Sequence, residues 1–99
     1  MKDKIDLKIK EDELYDSEGG REDPIARAKL DAIGFILGES DPITEAELEP
    51  PENDADLDNI IAELKKDRDN IPEYSYFGDP NWRIIDTQIQ ICEWAKGED

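Results

Sequence analysis

Residues 54–69 read DADLDNIIAELKKDRD, and no other stretch of the chain commits so clearly to one structure. Leu57, Ile60, Ile61 and Leu64 stand at i, i+3, i+4 and i+7, the spacing of one apolar stripe on an α-helix. Asp54, Asp56 and Asp58 lie in the opening turns, while Lys65, Lys66 and Arg68 lie near the close, so charge matches the helix dipole at both poles. Asn70-Ile71-Pro72 ends the segment.

Working outward, three Asp-Pro pairs punctuate the chain, at Asp23-Pro24, Asp41-Pro42 and Asp79-Pro80. Each sets a capping carboxylate before a proline whose fixed φ suits the first helical position, and so marks a candidate helix start. After the first, Ala26, Leu30, Ile33 and Leu37 share a face and Gly38 supplies a stop. After the second, Thr44 and Glu47 have capping-box spacing, but Pro50-Pro51 limits the segment to about a turn. After the third, Trp82, Ile85, Ile89 and Cys92 form a stripe with Gly97 as its stop. Ile89 and Ile91 also alternate with Gln88 and Gln90, so a strand within residues 83–92 stays open.

Near the start, Ile5, Leu7 and Ile9 alternate with Asp6, Lys8 and Lys10, a period-two pattern that predicts a half-buried strand over residues 4–10. Tyr74 and Tyr76 share one face of residues 73–77, its natural partner strand. Residues 11–22, with Gly19-Gly20 and seven charges, read as an exposed acidic loop, and residues 39–53 as another. The expected architecture is a mainly α single domain over residues 1–99, with about three helices and a short N-terminal strand pairing with 73–77. An α+β arrangement is the alternative.

Composition bounds the function. The 99 residues carry 28 acids against 12 bases and no histidine, a net charge of -16. Isoleucine, leucine and phenylalanine together make 22 residues, enough for a thin core. So acidic a chain is repelled by nucleic acid and by anionic membranes, and direct binding to either is not expected. With no histidine and only Cys92, a Ser-His-Asp or Cys-His site, a Cys/His zinc site and an internal disulfide are all excluded. No apolar run is long enough for a membrane span or a secretory signal, so a reducing, cytoplasmic setting is expected.

Between Glu39 and Asp58 the acids Glu39, Asp41, Glu45, Glu47, Glu49, Glu52, Asp54, Asp56 and Asp58 occur with no base among them. Glu11, Asp12 and Glu13 open a second base-free run that reaches Glu18. Rows of carboxylates can occupy a basic groove built for a polyanion; they can also serve only to keep a small protein dissolved. Asp54, Asp56 and Asp58 have the ligand spacing of a calcium loop, but Asn59 stands where glycine is needed and Lys65 where a glutamate is needed. No metal or other cofactor is expected. Tyr74 and Tyr76 belong either to the core or to a contact surface as anchors.

No segment carries a family signature, and the expectation is of a physical type. The chain reads as a non-enzymatic acidic binding protein, a monomer or small homo-oligomer. Its expected partner is a basic protein, a nucleic-acid-binding enzyme or toxin, which it inhibits by polyanion mimicry or site occlusion. Phage anti-defence inhibitors, nuclease immunity proteins and antitoxins are of this type. The contact residues would be the acids of residues 39–58 and 11–13, with Tyr74 and Tyr76. The alternative is an assembly or scaffold subunit of a phage or multiprotein complex, whose charge serves solubility.

Overall fold

The computed structural model describes residues 1–17, 23–44, 46–71 and 80–97, and these form four helices: α1, Lys4–Ser17; α2, Pro24–Ile36; α3, Asp54–Asp69; and α4, Pro80–Ala95. The protein is mainly α, and no strand occurs among the described residues.

Two helices begin as their caps dictate. The Asp23 side chain accepts from the Ile25 backbone amide at 3.0 Å, with Pro24 in the first turn of α2. Asn53 does the same for α3, its Oδ1 accepting from the Asp56 amide at 2.9 Å. Asp56 Oδ2 in return accepts from the Glu52 amide at 3.0 Å, so the start of α3 is clamped from both sides. α2 ends in a Schellman turn: Gly38, at φ +79°, donates to Phe35 O and Glu39 donates to Gly34 O. Without a Cβ at Gly34, the chain folds back over the helix; a methyl group there would overlap the Ser40 side chain.

The principal packing runs α1 on α2, α2 on α4 and α4 on α3. α2 is apolar almost all round and buries Ala26, Ala28, Leu30, Ala32, Ile33, Phe35 and Ile36, as a helix between two neighbours must. α3 adds Leu57, Ile60, Ile61 and Leu64, and α4 adds Ile89, Ile91, Cys92 and Ala95 to the same core. The stretch 83–92 is thus helical throughout, and its Gln residues divide: Gln88 is buried and donates to Ala28 O at 3.4 Å, whereas Gln90 is exposed. Arg68 on α3 reaches Asp86 on α4 at 2.8 Å, with its guanidinium 5.7 Å from the Trp82 ring centre. After Asp41-Pro42 the chain makes only a turn, in which the Glu47 amide donates to Thr44 O at 3.1 Å.

The N-terminal strand over residues 4–10 is not formed. That segment is helical and continues to Ser17, so the expected loop at 11–22 is helix over its first seven residues. Residues 73–77, the expected partner strand, lie outside the described residues. The alternation of Ile5, Leu7 and Ile9 does not report burial: Leu7 is 1 % exposed, Ile5 73 % and Ile9 52 %. What buries is Leu7 with Leu14, seven residues and two helical turns apart. Lysine, glutamate and leucine favour the helix intrinsically, and a helix satisfies its own backbone where an unpaired strand cannot. The helix is tied down at its start, where the Lys2 amide donates to Ala95 O at 2.7 Å. The Lys2 and Lys10 ammonium groups also lie 5.0 and 5.7 Å from the Trp94 ring centre.

A helix and a strand at residues 4–10 make different demands on stability. Leu7→Ala is expected to cost about 2–5 kcal/mol in urea denaturation, and Ile5→Ala and Ile9→Ala each less than about 0.5 kcal/mol, because only the first opens a cavity. Equal losses at all three positions would mean a buried strand face.

Candidate functional site

The acidic run from Glu39 to Asp58 spans the exit of α2, the connecting loop and the first turns of α3. Locally it contains no base, yet the fold brings three cations to it. Lys8, on α1, pairs with Glu39 and lies 3.5 Å from Glu11. The Met1 ammonium lies 2.5 Å from Asp54, and Lys96, just beyond α4, lies 2.5 Å from Asp58. The hydrogen bond from Lys8 to Glu39 raises the lysine pKa above its ordinary value, with the charges of Glu11 and Glu39 acting in the same direction. Asp56 is engaged as the cap of α3. The three aspartates with calcium-loop spacing therefore serve caps and ion pairs on a helix, and no group of three or more metal-ligating side chains gathers among the described residues.

Within this run, the described acids left exposed and without an ion pair are Asp41, Glu47, Glu49 and Glu52. Glu49, Glu52 and Asp56 line a cleft of about 350 Å³ together with Leu48, Pro50, Asn59 and Ile60. Carboxylates beside apolar lining suit a lysine or arginine, whose methylene stem needs apolar cover and whose head needs an anion. Asp41 lines a second cleft of about 350 Å³ with Arg27, Asp31, Glu39 and Ile43. Glu47 sits at φ +52°, a left-handed conformation that costs a residue with a Cβ about 1–2 kcal/mol. The Glu47 amide donates to the carbonyl of buried Thr44, which holds it there.

Glu45, Tyr74 and Tyr76 lie outside the described residues. Glu11, Asp12 and Glu13, expected in a loop, stand on α1, where Glu11 is partly covered beside Lys8 and the other two are exposed. The expected surface thus splits in two, a loop surface around Glu47–Glu52 and the acidic end of α1. The neutralising partners Met1, Lys8 and Lys96 are 31 or more residues away from their acids along the chain, and no local signal marks them. The spacing of Leu7 and Leu14 was the available signal for α1.

Cys92 is buried on the inner face of α4, and burial, with a smaller effect of the Glu93 charge, pushes its thiol up to about 12. It is a core side chain in character, because a nucleophile needs the thiolate. No helix among the described residues is long and apolar enough to cross a membrane. No protein-family model, curated protein or solved structure matches the chain.

Because its pKa is raised on folding, the Cys92 thiol contributes stability that is fully present below its ordinary value of 9.0 and is lost as the pH rises through about 12. Iodoacetamide at pH 8 is expected to leave Cys92 unmodified in the folded protein and to alkylate it once urea unfolds the chain. Rapid alkylation of the native protein would place the thiol at the surface.

Proposed function

We propose that the protein is a non-enzymatic binding inhibitor of a basic, nucleic-acid-handling protein, and that it works by presenting carboxylates where that partner accepts phosphates. The observation that carries this reading is the loop surface of Glu47, Glu49 and Glu52, which are exposed and form no ion pair among the described residues while neighbouring acids are paired. A net charge of -16 adds a long-range field that speeds encounter with a basic groove and repels nucleic acid itself. A phage anti-defence inhibitor, a nuclease immunity protein or an antitoxin would act this way, in a reducing cytoplasm where a buried free thiol persists. The exposed Ile5 and Ile9 support a second reading, an assembly or scaffold subunit, in which they pack on a neighbouring subunit.

The test uses the partner captured from the native cell at low salt. Duplex DNA and this protein are expected to exclude one another from that partner, and the protein alone to give no gel shift with DNA at about 0.15 M salt. Replacing Glu47, Glu49 and Glu52 together with glutamine is expected to slow association about tenfold and flatten its salt dependence, with the urea midpoint unchanged. A partner that holds DNA and this protein at once would overturn mimicry. A large homogeneous species in light scattering would favour the assembly reading.

A further inference from the structure

Helix α1 carries a surface that neither the core nor the acidic loop uses. Ile5, Ile9, Asp12 and Asp16 follow one another at spacings of four, three and four residues, which lays them along one side of the helix. Leu7 and Leu14 hold the opposite side against the core. All four residues are exposed, Ile5 at 73 % and Ile9 at 52 %. A single exposed isoleucine is ordinary. Two in adjacent turns are costly placements for a chain with so few apolar residues to bury.

A second observation concerns charge order. α3 follows its dipole, with Asp54 and Asp56 in the first turn and Lys66 and Arg68 in the last. α1 follows it only at Asp6 in its first turn: Lys4, Lys8 and Lys10 crowd its first half, Glu11, Asp12, Glu13 and Asp16 its second, and the last turn holds no base. Asp16 sits in the last turn, against the negative pole of its own helix, and Asp12 and Asp16 have no ion-pair partner among the described residues. One side of α1 therefore lacks apolar cover at one end and positive charge at the other. A single docked segment could supply both.

We propose that the Ile5–Ile9–Asp12–Asp16 side of α1 is the docking surface for a basic amphipathic helix of a protein partner. Its apolar side chains pack on the two isoleucines, and its lysines or arginines meet Asp12 and Asp16. The inference rests on the reading of the chain as a binder of basic proteins and assigns the apolar anchor to α1, leaving the loop surface to steer. A second copy fits this face poorly. Two such helices run antiparallel in full overlap would set Ile5 and Ile9 against Asp16 and Asp12, a parallel pair would set acid against acid, and each copy brings -16 of charge.

The test titrates the full chain at about 0.15 M salt with a leucine–lysine peptide patterned as an amphipathic helix, and with a scrambled peptide of the same composition. The patterned peptide is expected to bind about tenfold more tightly than the scrambled one, with amide shifts centred on α1. Ile5→Ser with Ile9→Ser is expected to remove that advantage, and Asp12→Asn with Asp16→Asn to weaken binding about tenfold and flatten its salt dependence. Both pairs are exposed, so the urea midpoint should hold. The Glu47, Glu49 and Glu52 glutamine variant should leave the difference between the peptides intact. Equal affinity of the two peptides, an unaltered constant for the isoleucine variant, or shifts centred on residues 47–56 would overturn the α1 site while leaving the loop reading standing. Binding by neither peptide would overturn both. Sedimentation that shows self-association abolished by Ile5→Ser with Ile9→Ser would overturn it in favour of a second copy.

Discussion

The contact between α2 and α4 carries the fold, because α1 reaches the core chiefly by packing on α2 and α3 chiefly by packing on α4. That explains why α2 alone is apolar nearly all round, with alanines at 26, 28 and 32 that let its neighbours approach closely. It also explains why Gln88 is tolerated inside, since its amide donates to the Ala28 carbonyl on α2, whose oxygen has a second lone pair to offer, and stitches the two helices together. The outer helices can then be highly charged on their remaining faces, and the protein keeps a single core under a charge of -16.

Electrostatics is organised around that core. The bases do not balance the acids in number, and the fold places several of them where they matter. Lys8, the Met1 ammonium and Lys96 converge on Glu39, Asp54 and Asp58, the two ends of the acidic stretch, while Arg68 is used between α3 and α4. Each of these pairs is partly exposed and worth little alone. Their joint effect is on shape: they fasten the ends of the acidic stretch beside α1 and α4, with Glu47, Glu49 and Glu52 exposed between them. The same economy leaves α1 with no base in its last turn and two isoleucines in water, a local conflict of the kind expected at functional surfaces.

What the sequence by itself determined is whatever depends on neighbours within about four residues. The stripe of Leu57, Ile60, Ile61 and Leu64, the Asp23-Pro24 start, the Gly38 stop and the turn after Asp41-Pro42 are all local, and each stands where the spacing puts it. Net charge and the missing histidine bounded the chemistry in the same way, since both are sums that folding cannot change. Tertiary structure decided what a local pattern leaves degenerate. Ile5, Leu7 and Ile9 satisfy a strand period, while Leu7 and Leu14 satisfy a helix period, and only the surface of α2 selects between them by burying one pair and leaving the other wet. It likewise decided which acids are bare, because a carboxylate is neutralised by a cation arriving from any distance along the chain, and Asp58 meets Lys96 only after α3 and α4 have packed.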